Sequence, residues 1–291
     1  MPASMLPLKI LQWNMAAAPH ARKPKPHPNP AKSAAALTAL LHDHAPTIVA
    51  LQETDPAILA QVKLTAYDLQ RGPMGLTTLV LRQAYRPVRN SDIRQRVQVV
   101  ELDAATPGGA GLLVFNLHLP VLYKTELERR EFARVFLLPE MTRLRVLGQP
   151  RLEIIAGDFN LPPYDEIIVG ESGLFANRDL AHTNKRRSTV GRPIYNTSWA
   201  IFGGACGALG SYHGPSLAHG PWQVPDQLLL DPRLAENRRV RVQVLTKTSG
   251  QDLHTPLPFG YPNKTTASDH FPVLVTLDPL PAAGAAGGVQ T

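Results

Sequence analysis

The chain has 291 residues, 44% hydrophobic and 18% charged, ordinary for a protein with a real core and enough for one large domain or two modest ones. Its 30 Lys and Arg outnumber 23 Asp and Glu, and the net charge of +7 favours encounter with polyanions, either nucleic acid or an acidic membrane surface. The single cysteine, Cys206, excludes an intrachain disulfide and a Cys-based zinc site; no apolar run reaches the length of a membrane span.

"LKILQWN" (8–14) reads as a buried strand ending at Asn14. The residues before it show no charged segment followed by a long apolar core, so no signal peptide is expected; with the lone thiol this suggests a cytoplasmic protein without a disulfide-linked partner. A basic, proline-laden stretch (16–32) follows, carrying Arg22, Lys23 and Lys25. Helical spacing over 33–45, with Ser33 as N-cap, ends at Pro46, and "TIVALQET" (47–54) is a second apolar strand finishing in Glu53. Further strands are predicted at 75–82, 96–103 and 111–119, then a long helix over 124–148 interrupted near Pro139. "RLEIIAGDFN" (151–160) returns as a strand. Residues 161–225 read as an irregular, aromatic-rich covering insertion, followed by strands at 224–230, 239–247 and 271–277. The expectation is one domain over 1–278 and a disordered tail over 279–291. Strands outnumber helices, and the helices are amphipathic enough to lie on sheet faces. Two packed sheets with outer helices fit this better than one parallel sheet.

Polar residues recur where these strands end or begin: Asn14, Glu53, Asn116, His118, Asp158, Asn160, Asp226, Asp269 and His270. Singly, each is an ordinary turn or core residue. As a set they offer hard oxygen ligands, amide donors and histidines, which is what cleavage of a phosphodiester needs. Mg²⁺ keeps several waters, so one or two carboxylates suffice to hold it. No Gly-rich nucleotide cradle, serine elbow or zinc-type histidine spacing is present.

The blocks "LQWN", "IVALQET", "FNLHL", "AGDFN", "PDQLLL" and "SDHFPV", in that order over residues 8–277, resemble the endonuclease/exonuclease/phosphatase superfamily. The resemblance implies a four-layer α/β/β/α sandwich of two mixed sheets, with the site at one edge. It implies Mg²⁺ (Mn²⁺ as a substitute) held by Glu53 with Asn14 beside it, and Asp269 supporting the metal or His270. It implies that Asp158 positions or deprotonates water, that Asn160 and His118 contact phosphate, and that His270, oriented by Asp226, is acid or base. The chain departs from the family pattern at Ala16, where many nucleases carry Asp or Asn, and at Gln227, where the DNA-repair branch usually shows Tyr. The "WCDR" element of the inositol-phosphate phosphatases is absent.

The resulting expectation is a metal-dependent phosphodiesterase acting on DNA or RNA, with Arg22, Lys23, Arg186 and Arg187 touching nucleic-acid backbone. The alternatives are a phosphatase or lipid phosphodiesterase of the same fold, and a catalytically inactive nucleic-acid-binding module. "YNTSW" (195–199) could stack a base, but packing of the covering segment is the preferred reading.

Overall fold

The computed structural model describes residues 7–17, 29–120, 126–147, 150–186, 193–204, 206, 208–214, 220–256, 258 and 260–280. Strand β1 (Leu8–Asn14) leads through α1 (Pro30–His44) into the parallel β2 (Ile48–Gln52). The helix starts three residues earlier than predicted. Asn29 is its N-cap, accepting from Lys32 N, because Pro30 suits the first helical position where no N–H is needed. Ser33 therefore lies inside the first turn, and its hydroxyl donates to the Ala267 carbonyl at 2.7 Å. Ala34, Leu37, Leu40 and Leu41 form the buried stripe that seats α1 on the first sheet.

After a short α2 (Pro56–Leu59) come β3 (Tyr67–Arg71) and β4 (Thr77–Leu81), then the meander β5 (Tyr85–Ile93), β6 (Val97–Ala104) and β7 (Leu112–His118). Neither β3 nor β5 was predicted, and both are sheet-edge strands. Solvent on one flank removes the apolar signal, and Pro87 sits at a register shift in β5, where a missing N–H costs little. The long helix is α3 (Glu126–Phe132), a π turn (Ala133–Leu137) and α4 (Leu138–Leu147), so the predicted interruption near Pro139 takes the form of a widened turn just before it.

Strand β8 (Leu152–Asp158) follows, and the segment predicted as irregular turns out to be partly regular. It contains α5 (Glu166–Val169), β9 (Ala176–Asn177), α6 (Leu180–Arg186), β10 (Ile194–Asn196), α7 (Trp199–Phe202) and the small ribbon β11 (Tyr212–His213) with β12 (Trp222–Gln223). These pieces are too short to show a period. The remaining elements are β13 (Asp226–Leu230), α8 (Pro232–Ala235), β14 (Arg238–Val244) and β15 (Val273–Pro279). Most of the predicted tail lies outside the described residues.

The first sheet has the order β14-β15-β1-β2-β4-β3 and the second β5-β6-β7-β8-β13-β10-β9. Alternation along the second sheet divides its side chains cleanly. Ile154, Ala156, Leu228 and Leu230 join the core shared with the first sheet and α1. Ile155, Leu229, Leu113 and Phe115 face the other way and pack with Ala133, Leu137 and Met141 of the long helix. The result is the predicted α/β/β/α sandwich. Strands covered on both faces become near-continuous apolar runs, and each fully buried Ile or Leu contributes about 2 kcal/mol.

Candidate active site

Register brings the polar strand ends together. Asn14 pairs with Gln52 across the parallel β1 and β2, so Glu53 follows directly at the same edge. His118 and Asp158 are opposite one another across parallel β7 and β8, and Asp226, the first residue of β13, is opposite Asp158 on its other side. Ser268–His270 form the approach to β15, which pairs with β1. The strand tips thus converge from both sheets onto one edge.

Backbone conformations at this edge are unusual. Glu53, Asn160 and Ala16 adopt left-handed φ of 49°, 50° and 52°. Such conformations cost about 1 kcal/mol or more in non-glycine residues and cluster at functional sites. Gly157, with φ of 150°, is required: a Cβ there would stand 2.0 Å from the Leu117 carbonyl oxygen. The glycine of "GDFN" therefore lets β7 and β8 approach closely just where His118 and Asp158 must meet.

The buried centre is a dyad. His270 Nδ1 donates to Asp226 Oδ2 at 2.7 Å, and Ser211 Oγ donates to the same oxygen at 2.6 Å. Gln12 Nε2 donates to Asp226 Oδ1 at 2.8 Å. Burial opposes the charged form of His270, but Asp226, then Asp158 and Asp269, overcome it and push its pKa up to about 10. His270 is therefore an imidazolium at neutral pH. Its ring packs against Tyr212 at 4.7 Å, its backbone N–H donates to Ser268 Oγ at 3.0 Å, and its backbone carbonyl accepts from the Trp13 indole at 3.0 Å. Trp13 is fully buried, as strand alternation predicts.

Asp158 faces the dyad. Its Oδ1 accepts from Asn160 N and its Oδ2 from Asn14 Nδ2, each at 2.9 Å. That second oxygen lies 3.8 Å from His118 Nε2 and 4.0 Å from His270 Nε2. Burial raises the Asp158 pKa, against the pull of the His270 and His118 imidazoles. His118 Nε2 also stands 3.6 Å from Glu53 Oε1. Asn160 is anchored by its amide N–H on the Leu119 carbonyl at 2.9 Å. Burial would raise Asp269, but the His270 charge and a hydrogen bond from Lys264 hold it below its usual range.

Eight of the expected residues (Asn14, Glu53, His118, Asp158, Asn160, Asp226, Asp269 and His270) thus belong to this strand-end edge. Arg22, Lys23 and Arg187 lie outside the described residues, as does the side chain of Arg186. The backbone of Arg186 ends α6 and leads into β10, whose Tyr195 pairs with Leu230, at the end of β13 away from Asp226. Sequence reading missed Gln12, Ser211, Tyr212, Lys264 and Ser268. Only Gln12 carried a usable signal, since it sits two residues before Asn14 and strand alternation puts both on one face.

The chain matches the model of the Endonuclease/Exonuclease/phosphatase family over residues 11–270. No curated protein matches it in sequence. Among solved structures it is similar to D. rerio TDP2 complexed with single strand DNA product, at 16% identity and a TM-score of 0.60, covering 94% of this chain and 99% of that one. It is similar to a mannosyl-6-phosphatase of Bacteroides thetaiotaomicron, at 17% identity and 0.61, covering 93% and 99%. The human Nocturnin catalytic domain with bound sulfate anion follows at 15% and 0.55, covering 94% of each. At these identities the likeness shows the fold alone.

Proposed function

The chain belongs to the endonuclease/exonuclease/phosphatase family, whose members are hydrolases of phosphoester bonds, and on that premise we propose that it is a Mg²⁺-dependent phosphodiesterase acting on DNA or RNA in the cytoplasm. The observation that carries this reading is the placement of His270, clamped by Asp226 on Nδ1 at 2.7 Å and turned with Nε2 toward Asp158 at 4.0 Å. A buried imidazolium beside a buried carboxylate offers a donor for phosphoryl oxygen and an acceptor for a water proton in one place. In this assignment His270 donates to the scissile phosphate and stabilises its charge. Asp158 orients and deprotonates the attacking water, and Asn160 and His118 hold phosphate oxygens. Asp226 keeps His270 charged and oriented, itself fixed by Gln12 and Ser211.

The donor set fits a hard divalent ion. The Glu53 carboxylate, 21% exposed, receives no hydrogen bond from a described residue, and Asn14 and Asp269 bring oxygens of the same hard type to the strand-end edge. Asp158, Asp226 and His270 also present ligand atoms within 4.8 Å of one another. Asp226 is already engaged by three partners, however, and His270 Nδ1 is spent on it, so Glu53, Asn14 and Asp269 are the better holders. Bound there, the ion supplies positive charge against the phosphoryl and departing oxygens.

Two observations favour nucleic acid over a small ester. The net charge is +7. Tyr164 and Phe202, 41% and 50% exposed, pack edge to face at 5.6 Å. Their segments are tied to the residue after Asp226: Gln227 Nε2 donates to the Leu161 carbonyl, and Gln227 Oε1 accepts from Asn196 Nδ2. Exposed rings on segments anchored beside Asp226 suit stacking against bases. The test is a substrate panel of supercoiled plasmid, single strands, abasic duplex, RNA and small phosphodiesters, with Mg²⁺ and with EDTA. EDTA-sensitive cleavage of a nucleic acid is expected. Intact nucleic acids alongside hydrolysis of a phosphoinositide, sphingomyelin or sugar phosphate would overturn the substrate class, and EDTA-insensitive binding without cleavage would leave only a binding module.

A further inference from the structure

Lys264 is a cation that the assignment above leaves without a role. It sits in a tight turn in which Asn263 Oδ1 accepts from Thr265 N and the Asn263 carbonyl accepts from Thr266 N and Ala267 N. The turn fixes the lysine's backbone and aims its stem at the approach to β15. Its Nζ donates to Asp269 Oδ2 at 2.9 Å, with the lysine side chain 49% exposed. After Asp269, the acid whose charge most favours this ammonium is Glu53. One tethered cation therefore occupies Asp269, a carboxylate assigned to the divalent ion.

We propose that Lys264 is a built-in competitor of the divalent ion, lowering the affinity of the Glu53–Asp269 edge for it. The inference rests on the metal-dependent reading above. An ammonium paired with one of those carboxylates neutralises part of the charge that attracts an ion, and repels that ion once it arrives. Lysine is suited to this, being a point charge on a flexible stem that can yield without losing its anchor. Because the side chain is half exposed, water screens the effect, which should be severalfold rather than many powers of ten.

The test measures Mn²⁺ affinity of the full chain without substrate, by electron paramagnetic resonance of free Mn²⁺ at low ionic strength. Lys264→Met should bind about fivefold more tightly than the wild type, with Lys264→Arg within about twofold of it. Arg241→Met is the charge control: Arg241 pairs with Asp278 at 2.8 Å on the β14–β15 ribbon, and its loss should leave affinity within about twofold. Circular dichroism checks folding, with Lys264→Gln as a second variant expected to match Lys264→Met. Unchanged or weaker binding by both Lys264 variants overturns the inference, as does an equal gain from Arg241→Met. Failure of the wild type to bind Mn²⁺ at all overturns the metal-dependent reading itself and takes the inference with it.

Discussion

Gln12, Gln52 and Asn116 lie between the two sheets beside Asp158, Asp226 and His270, yet the two groups are stabilised differently. The amides form a chain in which Gln12 Nε2 donates to Gln52 Oε1 at 2.9 Å and Gln52 Nε2 donates to Asn116 Oδ1 at 2.7 Å. Asn116 Nδ2 then donates to the carbonyls of Leu51 and Thr77, at 3.1 and 3.0 Å. Neutral dipoles are paired one after another, and the row ties the two sheets together. The neighbouring carboxylates and imidazoles also meet by attraction across longer gaps, such as 3.8 Å from His118 to Asp158 and 4.0 Å from His270 to Asp158. The first group builds the edge, and the second keeps it ready for chemistry. Gln12 belongs to both, since the same nitrogen touches Gln52 and Asp226, and its Oε1 has no partner among the described residues.

If that division is right, damage to the two groups should separate activity from stability. The largest effect is expected at the charged group. His270→Ala should lower kcat per folded molecule by roughly a thousandfold or more, and by stripping the buried Asp226 of its charge partner it should also lower the thermal midpoint at neutral pH. Glu53→Gln should bring a comparable loss of rate with the midpoint little changed, while also weakening Mn²⁺ binding. A loss below tenfold in His270→Ala would dismiss the assignment. In the amide row, Asn116→Leu should cost about 3 kcal/mol in denaturant titration, because it strands the Gln52 donor and removes two bonds to carbonyls. Its rate per folded molecule should fall by less than about tenfold.

A subtler separation comes from pH. The folded pKa of His270 is raised from 6.5 to about 10, so its contribution to stability is complete below pH 6.5 and is lost as pH climbs toward 10. In EDTA, the urea midpoint of the wild type should decline across that interval, and Asp226→Asn should flatten the decline. A slope unchanged in Asp226→Asn would show that the dyad does not control it. The smallest effect concerns the backbone. Ala16 holds a left-handed φ of 52° while its N–H donates to Asn14 Oδ1. Asn tolerates that conformation better, so Ala16→Asn should stabilise the fold by up to about 1 kcal/mol, read from the same titrations.

What could be read before folding follows from where each residue sits. β1, β2 and β8 are covered on both faces, and their apolar runs with polar ends stood out, so Asn14, Glu53 and Asp158 were legible. β5 lies at an edge with Pro87 and several charges, so nothing in its pattern announced a strand. Asn29 capped α1 ahead of Ser33 because Pro30 could begin the helix, a local rule that the apolar spacing outweighed. Ser211 reaches Asp226 from a segment of short pieces, and Lys264 reaches Asp269 from a turn. Neither has a period or motif to betray it. Their partners are chosen by tertiary contact, which one-dimensional patterns do not encode.

The pairing of β1 with β15 bears on when the protein can begin to work. Trp13 meets His270 and Asn14 meets Ser268 across 257 and 254 residues of chain, and Gln12 waits for Asp226 across 214. During synthesis the amino-terminal strands emerge long before their partners, so the pocket stays unfinished until nearly all of the described polypeptide has left the ribosome. A nascent chain stalled before Ser268 would lack the imidazolium altogether. The edge is thus completed late and all at once, when the approach to β15 closes onto β1.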